Sequence, residues 1–187
     1  SIYGHIAKLA ESVKVEIETA DGTFPIFQIP ETLPQEVLTK MHAPAKSDHP
    51  IIDANKLATF DAFIMGIPTR YGNYPGQWKA FWDTTGGLWG KGALAGKYAG
   101  GFVSTAGPGG GQEVTIQNAI STLTHHGVIF VPLGYTHAFG QITNLREVHG
   151  GAGARTYTAL TAPTALELEI ATIQGKAFWG VVSKVKF

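Results

Sequence analysis

The chain has 187 residues, 44% hydrophobic and 15% charged, which excludes a disordered protein and is long enough for one domain with a full apolar core. Lys and Arg number 14, as do Asp and Glu, so the chain has neither the basic face of a nucleic-acid binder nor a polybasic membrane patch. Cysteine is absent, which removes disulfide scaffolds, thiol catalysis and cysteine-based zinc sites together; this fits a reducing compartment without identifying one, and the expectation is a cytoplasmic protein.

Apolar residues at Ile6, Leu9, Val13 and Ile17 recur at spacings of three and four, which predicts a helix over 4–18. Phe24–Ile29 reads as a short strand, set at an edge by Pro25. Pro34 opens a short helix through Met41, and 43–56 read as loop. Ala62–Ile67 is a continuous apolar run ending at Pro68, the pattern of a strand covered on both faces of a parallel sheet. A helix begins at Pro75, with Trp78, Phe81 and Trp82 on its core face. Tyr98–Val103 is the next strand. Gly111–His126 is a helix with Ile116, Ile120 and Leu123 inward and Gly127 at its stop. Val128–Leu133 is a third apolar strand, and 134–162 form an irregular connection. A last helix starts near Pro163 with Leu166, Ile170, Ile173, Ala177, Val181 and Lys184 along one face, while Glu167 and Glu169 read as solvated. The apolar runs are too short to cross a bilayer. Strands alternating with helices give an α/β doubly wound fold. A helix stands where such a fold has its first strand, so the expectation is either a fold that starts with a helix or a first strand missing from the sequence.

Three loops follow strand positions: Ser1–Ile6 ahead of the first helix, Pro68–Tyr74, and Ser104–Gln112. In an open parallel sheet such loops meet at the carboxyl ends of the strands, where ligands bind. Ser1 and the following amides suit a phosphate at a helix N-terminus. Thr69 and Arg70 add a hydroxyl and a fixed cation. The glycine-rich 104–111 stretch offers backbone N–H groups with little side-chain bulk, and eleven of the 24 glycines lie between Gly86 and Gly111. Tyr71, Tyr74 and Trp89 are stacking candidates. Each feature alone also has an ordinary structural reading: a flexible glycine turn, a surface ion pair at Arg70, core indoles at Trp78 and Trp82, a frayed Ser1, a helix-end cation at His125 or His126. The histidines have no metal-ligand spacing, and there is no nucleophile elbow.

In combination these segments are far more specific. Pro68-Thr69-Arg70-Tyr71-Gly72-Asn73, Thr85-Gly86-Gly87-Leu88-Trp89, Gly109-Gly110-Gly111-Gln112-Glu113, His125-His126-Gly127 and Pro132-Leu133-Gly134-Tyr135 occur in that order. The whole chain closely resembles the WrbA family of flavodoxin-like NAD(P)H:quinone oxidoreductases, most of all its fungal members. The resemblance implies one flavodoxin-like FMN-binding domain over 1–187, with a five-stranded parallel sheet of order 2-1-3-4-5. It implies FMN as cofactor, NADH or NADPH as electron donor, a quinone as substrate and a homo-oligomer, dimer or tetramer, as the working form. Residue by residue, it places the phosphate loop at Ser1, Ile2, Tyr3, Gly4, His5 and Ile6. The isoalloxazine-side loops fall at Pro68, Thr69, Arg70, Tyr71, Gly72 and Asn73 and at Ser104, Thr105, Ala106, Gly107, Pro108, Gly109 and Gly110. His125 would reach the flavin from a neighbouring subunit, and Tyr3 and Trp89 would meet nicotinamide or quinone. The catalysis is flavin-centred, with no protein nucleophile and no metal. The chain departs from the family in lacking the strand ahead of the phosphate loop and in a shorter 150–164 stretch, which leaves the tetramer geometry open. Two competing readings are an electron-transfer flavodoxin, against which the zero net charge counts, and a non-catalytic scaffold that keeps the fold.

Overall fold

The computed structural model describes residues 2–107, 109–143 and 163–187, together with the backbone of 155–158. Helix α1 (His5–Thr19) buries Leu9, Val13 and Ile17, the stripe that the spacing predicts. Helix α2 (Gln35–Lys40) follows Pro34. Helix α3 (Ala54–Leu57) is an addition to the predicted loop; Asp53 caps it by accepting from Lys56 N. Strand β1 (Ala62–Pro68), helix α4 (Gly76–Asp83) and strand β2 (Tyr98–Thr105) lie where the apolar runs put them. The glycine-flanked Trp89 stretch is helix α5 (Gly86–Gly90). Helix α6 (Gln112–His125) ends before Gly127, whose φ of 70° makes the expected left-handed stop. Strand β3 (Ile129–Phe130), helix α7 (Phe139–Ile142), strand β4 (Arg155–Thr158) and helix α8 (Ala165–Val182) complete the described chain.

The sheet is parallel. β1 runs beside β2 from Ala62 opposite Tyr98 to Pro68 opposite Ser104. The other edge of β2 is shared: β3 pairs with its start at Tyr98 and Ala99, and β4 with its end at Phe102–Thr105. Val128–Leu133 is thus a two-residue ladder and not the six-residue strand the apolar run suggests.

Asp61 O accepts from Tyr98 N at 3.1 Å, and Thr69 N donates to Ser104 O at 2.9 Å. The odd-numbered residues of β1 therefore bond to β2, and Ala62, Ile64 and Gly66 turn their N–H and C=O groups to the strand's second edge. That edge faces Phe24–Ile29 across an apolar cleft of about 980 Å³, roofed by Ile6 and Ala10 of α1 and floored by Phe81 and Trp82 of α4. Phe24–Ile29 is extended but makes only an isolated parallel bridge, Gln28 with Ile51, so the predicted edge strand has no ladder of its own.

Helices cover both faces. Ile116, Leu123, Phe81 and Trp82 pack on Met65, Ile67 and Val103. On the opposite face Leu9, Val13, Ile17 and Ala171 pack on Phe102. α8 is rotated relative to its predicted phase. It buries Glu167, Ile170, Ala171, Gln174, Gly175, Phe178 and Val182, while Val181 is 44% exposed and Lys184 lies beyond the helix. Glu167, predicted as solvated, is buried: Thr164 Oγ1 accepts from Glu167 N and Glu167 Oε2 accepts from Thr164 N, a capping box. No described helix is long and apolar enough to cross a membrane.

Candidate functional site

The three predicted loops meet at the carboxyl ends of β1 and β2. α1 starts there because Gly66 carries no side chain: a Cβ on it would stand 2.6 Å from Ile6 Cγ2 and 2.7 Å from Phe102 Cζ. The N-cap of α1 is Gly4 at φ 77°, with no side-chain cap and no acidic residue in the first turn. The first-turn N–H groups and the positive end of the helix dipole are therefore available to an anion. Burial, then the Lys8 charge, lowers the pKa of His5 and keeps its ring neutral beside them.

The second loop is a two-residue turn. Arg70 N donates to Asn73 O at 2.9 Å, and Asn73 N donates to Arg70 O at 3.0 Å. Tyr71 and Gly72 both have positive φ, 54° and 73°, the signature of a type I′ turn. Tyr71 is fully exposed and Arg70 exposed, with Nη1 donating to Thr69 O at 3.0 Å. Tyr74, a stacking candidate in the sequence, is turned into the core instead. Its hydroxyl donates to Ala119 O at 3.4 Å, and burial raises its pKa.

In the third loop Ser104 and Thr105 are buried at the end of β2. The Gly107 carbonyl accepts from Thr105 Oγ1 (3.0 Å), Gly110 N (3.2 Å) and Gln112 Nε2 (3.2 Å), which folds the loop over its own carbonyl. Ala106, Gly109 and Gly110 are exposed, and no atom lies within 4 Å of where a Cβ on Gly107 or Gly109 would stand. A flat polar ligand can approach this backbone closely.

Ile2, Gly4, Ile6, Pro68, Arg70 and Tyr71 line one end of the cleft. Tyr3 is 55% exposed beside them in sequence. Ser1 and Pro108 lie outside the described residues. Trp89 and His125 are exposed and are not among the residues lining the cleft. His125 is the last residue of α6, about 20 Å along the helix axis from the glycine loop. The bond between Thr85 Oγ1 and His126 Nε2 (2.9 Å) ties the start of α5 to that same end of α6, so within one chain Trp89 and His125 stand away from the three loops. Sequence reasoning missed Thr115 and Asn118, whose side chains hold the loops together: Thr115 Oγ1 lies 2.7 Å from Thr69 Oγ1, and Asn118 Nδ2 donates to Gly72 O at 2.7 Å. Their spacing from Gly111, four and seven residues, is the signal that was available.

Residues 3–141 match the model of the NADPH-dependent FMN reductase family. The chain belongs to that family. Among similar proteins, the NAD(P)H quinone oxidoreductase PST3 of Candida albicans is 59% identical over 98% of this chain and 95% of its own. Protoplast secreted protein 2 of Saccharomyces cerevisiae is 54% identical over 98% of this chain and 95% of its own. Among solved structures, a flavodoxin, WrbA-like protein from Agrobacterium tumefaciens superposes with a TM-score of 0.66 over 100% of this chain and 94% of that one, at 24% identity. Oxidised Flavodoxin 1 from Bacillus cereus gives 0.61 over 100% and 95%, at 17% identity. Both likenesses show a flavodoxin-like α/β fold. The donor set fits FMN, the cofactor of this family: uncapped amides at a helix N-terminus for a phosphate, an exposed guanidinium, and a glycine backbone open to a ring edge.

Proposed function

We propose that this protein is an FMN-dependent NAD(P)H:quinone oxidoreductase of the WrbA kind. The observation that carries the reading is the meeting of three loops, the uncapped start of α1, the Arg70–Asn73 turn and the Ser104–Gly111 backbone, at the ends of two adjacent parallel strands. Names of relatives at 53–59% identity, NAD(P)H quinone oxidoreductases, support the activity. Bound FMN supplies the two-electron chemistry, between NADH or NADPH as donor and a quinone that leaves as the hydroquinone after gaining two electrons and two protons. Amides from Gly4 to Ile6 hold the phosphate, with Ser1 ahead of them. Arg70 and the amides of Ser104–Gly110 favour negative charge at the ring edge. Tyr3, 55% exposed, would meet nicotinamide or quinone.

His125 would serve the flavin of a neighbouring copy in a dimer or tetramer, an arrangement supported by its distance from the loops of its own chain. Trp89, at the same end of α6, would contact nicotinamide or quinone. On this reading 1–187 is a single flavodoxin-like FMN-binding domain. The five-stranded order 2-1-3-4-5 is supported by the second edge of β1, whose groups have no backbone partner among the described residues and face Phe24–Ile29 across the apolar cleft of about 980 Å³. The reading puts the protein in the cytoplasm, and cell fractionation tests it. The function is tested by following the visible absorption of FMN-loaded protein without oxygen. Bleaching by NADH or NADPH and full recovery on adding benzoquinone is the expected result. FMN that binds but is not bleached would replace the reading with an electron-transfer flavodoxin, and no FMN binding would replace it with a scaffold.

A further inference from the structure

We propose that Thr115 and Asn118 of α6 are positioning residues for the flavin site, and that Thr115 fixes the Thr69 hydroxyl as a hydrogen-bond acceptor toward the ligand. The proposal rests on the FMN reading above. Two observations carry it. The first is a count of hydrogens. Thr115 Oγ1 lies 2.6 Å from Gly111 O and 2.7 Å from Thr69 Oγ1. A carbonyl only accepts, so Thr115 spends its single hydroxyl hydrogen on Gly111. Thr115 is fully buried, and no solvent competes for that bond. Thr69 must then donate its own hydrogen to Thr115. What Thr69 has left for a ligand is lone pairs. The ligand atom that meets it is a donor, a ring N–H or a ribityl O–H, and not a carbonyl or phosphate oxygen.

The second observation concerns the turn itself. Tyr71 has a φ of 54°, a conformation that a bulky residue holds only when its surroundings impose it. Its side chain is wholly in solvent and does nothing to impose it. The reciprocal Arg70–Asn73 bonds close the turn, and α6 adds a second constraint from outside it. Asn118 Nδ2 donates to Gly72 O at 2.7 Å. A Cβ on Gly72 would stand 2.7 Å from Val114 Cγ1, and one on Gly111 3.2 Å from Gly72 Cα. Gly111, Thr115 and Asn118 fall at i, i+4 and i+7, one face of the helix. That face joins the 69–73 turn to the end of the glycine loop, so the two isoalloxazine-side loops move as one body.

FMN is titrated into the apoprotein by quenching of flavin fluorescence, and the visible spectrum of the bound flavin is recorded. Thr115→Val, which keeps the shape and removes the hydroxyl, should weaken FMN binding about tenfold, the net value of a buried hydrogen bond, and shift the flavin band. Thr115→Ser should restore both. Asn118→Ala should weaken binding about three- to tenfold, while Asn118→Asp, which cannot donate, should do no better. Thr69→Val supplies a test independent of Thr115 folding: it removes the acceptor directly and should match Thr115→Val. Wild-type affinity and an unshifted band in Thr115→Val, or equal losses in Thr115→Val and Thr115→Ser, would overturn the proposal. Failure of the wild-type protein itself to bind FMN would overturn the cofactor reading beneath it, a separate and distinguishable result.

Discussion

Gly175 of α8 lies so close to the Val13 carbonyl of α1 that a Cβ on it would overlap the oxygen. This contact sets how near α8 comes to α1. From the neighbouring position Gln174 Nε2 reaches over to donate to Gly101 O of β2 at 2.8 Å. Gly175→Ala is expected to force the helices apart and to destabilise the protein by about 2–3 kcal/mol, because a packed interface has no room to absorb a methyl. Urea unfolding checks it; an unchanged midpoint would show that the helices part without loss.

Trp89 is 60% exposed on a five-residue helix, so its removal leaves the core intact. Trp89→Ala should lower kcat/KM for nicotinamide or quinone by about tenfold, ~1.4 kcal/mol of transition-state binding, and leave FMN affinity within about twofold. Steady-state kinetics together with an FMN titration separate the two effects. Unaltered turnover would remove Trp89 from the site.

Glu31 joins three parts of the cleft rim. Its carboxylate accepts from Lys46 Nζ (2.7 Å), Gln77 Nε2 (2.8 Å) and the Thr32 and Leu33 amides (2.9 and 3.1 Å). Burial raises its pKa, but the Lys46 and Gln77 bonds and then the amides outweigh it and bring it down to about 2. A carboxyl held below its unfolded value stabilises the fold fully above about pH 4.5, and that stability fades as the pH falls toward 2. After screening at this partly exposed rim, Glu31→Gln should cost about 1 kcal/mol at pH 7 and progressively less below pH 4.5. Urea midpoints for both proteins at pH 7 and pH 3.5 give the comparison; a gap that stays constant would refute the linkage.

Glu167 is 1% exposed and closes the capping box of α8. Glu167→Ala should destabilise by about 1–2 kcal/mol, whereas Glu167→Gln, which can still accept from Thr164 N, should lose much less. Thermal melts of the two variants decide it, and a glutamine as damaging as alanine would mean that the charge matters more than the cap.

The sequence was most legible where one face or both faces of an element are uniformly apolar. α1 declares its stripe at Leu9, Val13 and Ile17, and β1 and β2 are apolar along most of their length. α8 defeated the same reasoning because its buried stripe includes Glu167, Gln174 and Gly175 while Val181 is exposed, so hydrophobicity carried no phase. Phe24–Ile29 and Val128–Leu133 have strand composition, but a ladder needs a partner, and pairing is a property of distant segments. The loops of the site were legible because their places after strands follow from topology. The hydroxyl chain from Thr69 through Thr115 to Gly111 was not, since it links residues 46 apart in sequence.

β3 and β4 occupy successive stretches of the same edge of β2, at Tyr98–Ala99 and at Phe102–Thr105. One lane of the sheet is therefore filled by two pieces of chain, and the length of the detour between Phe130 and Arg155 is free of any demand from strand order. The end of β2 that carries Ser104 thus takes its neighbour from chain that follows the detour, not from the β3 that precedes it.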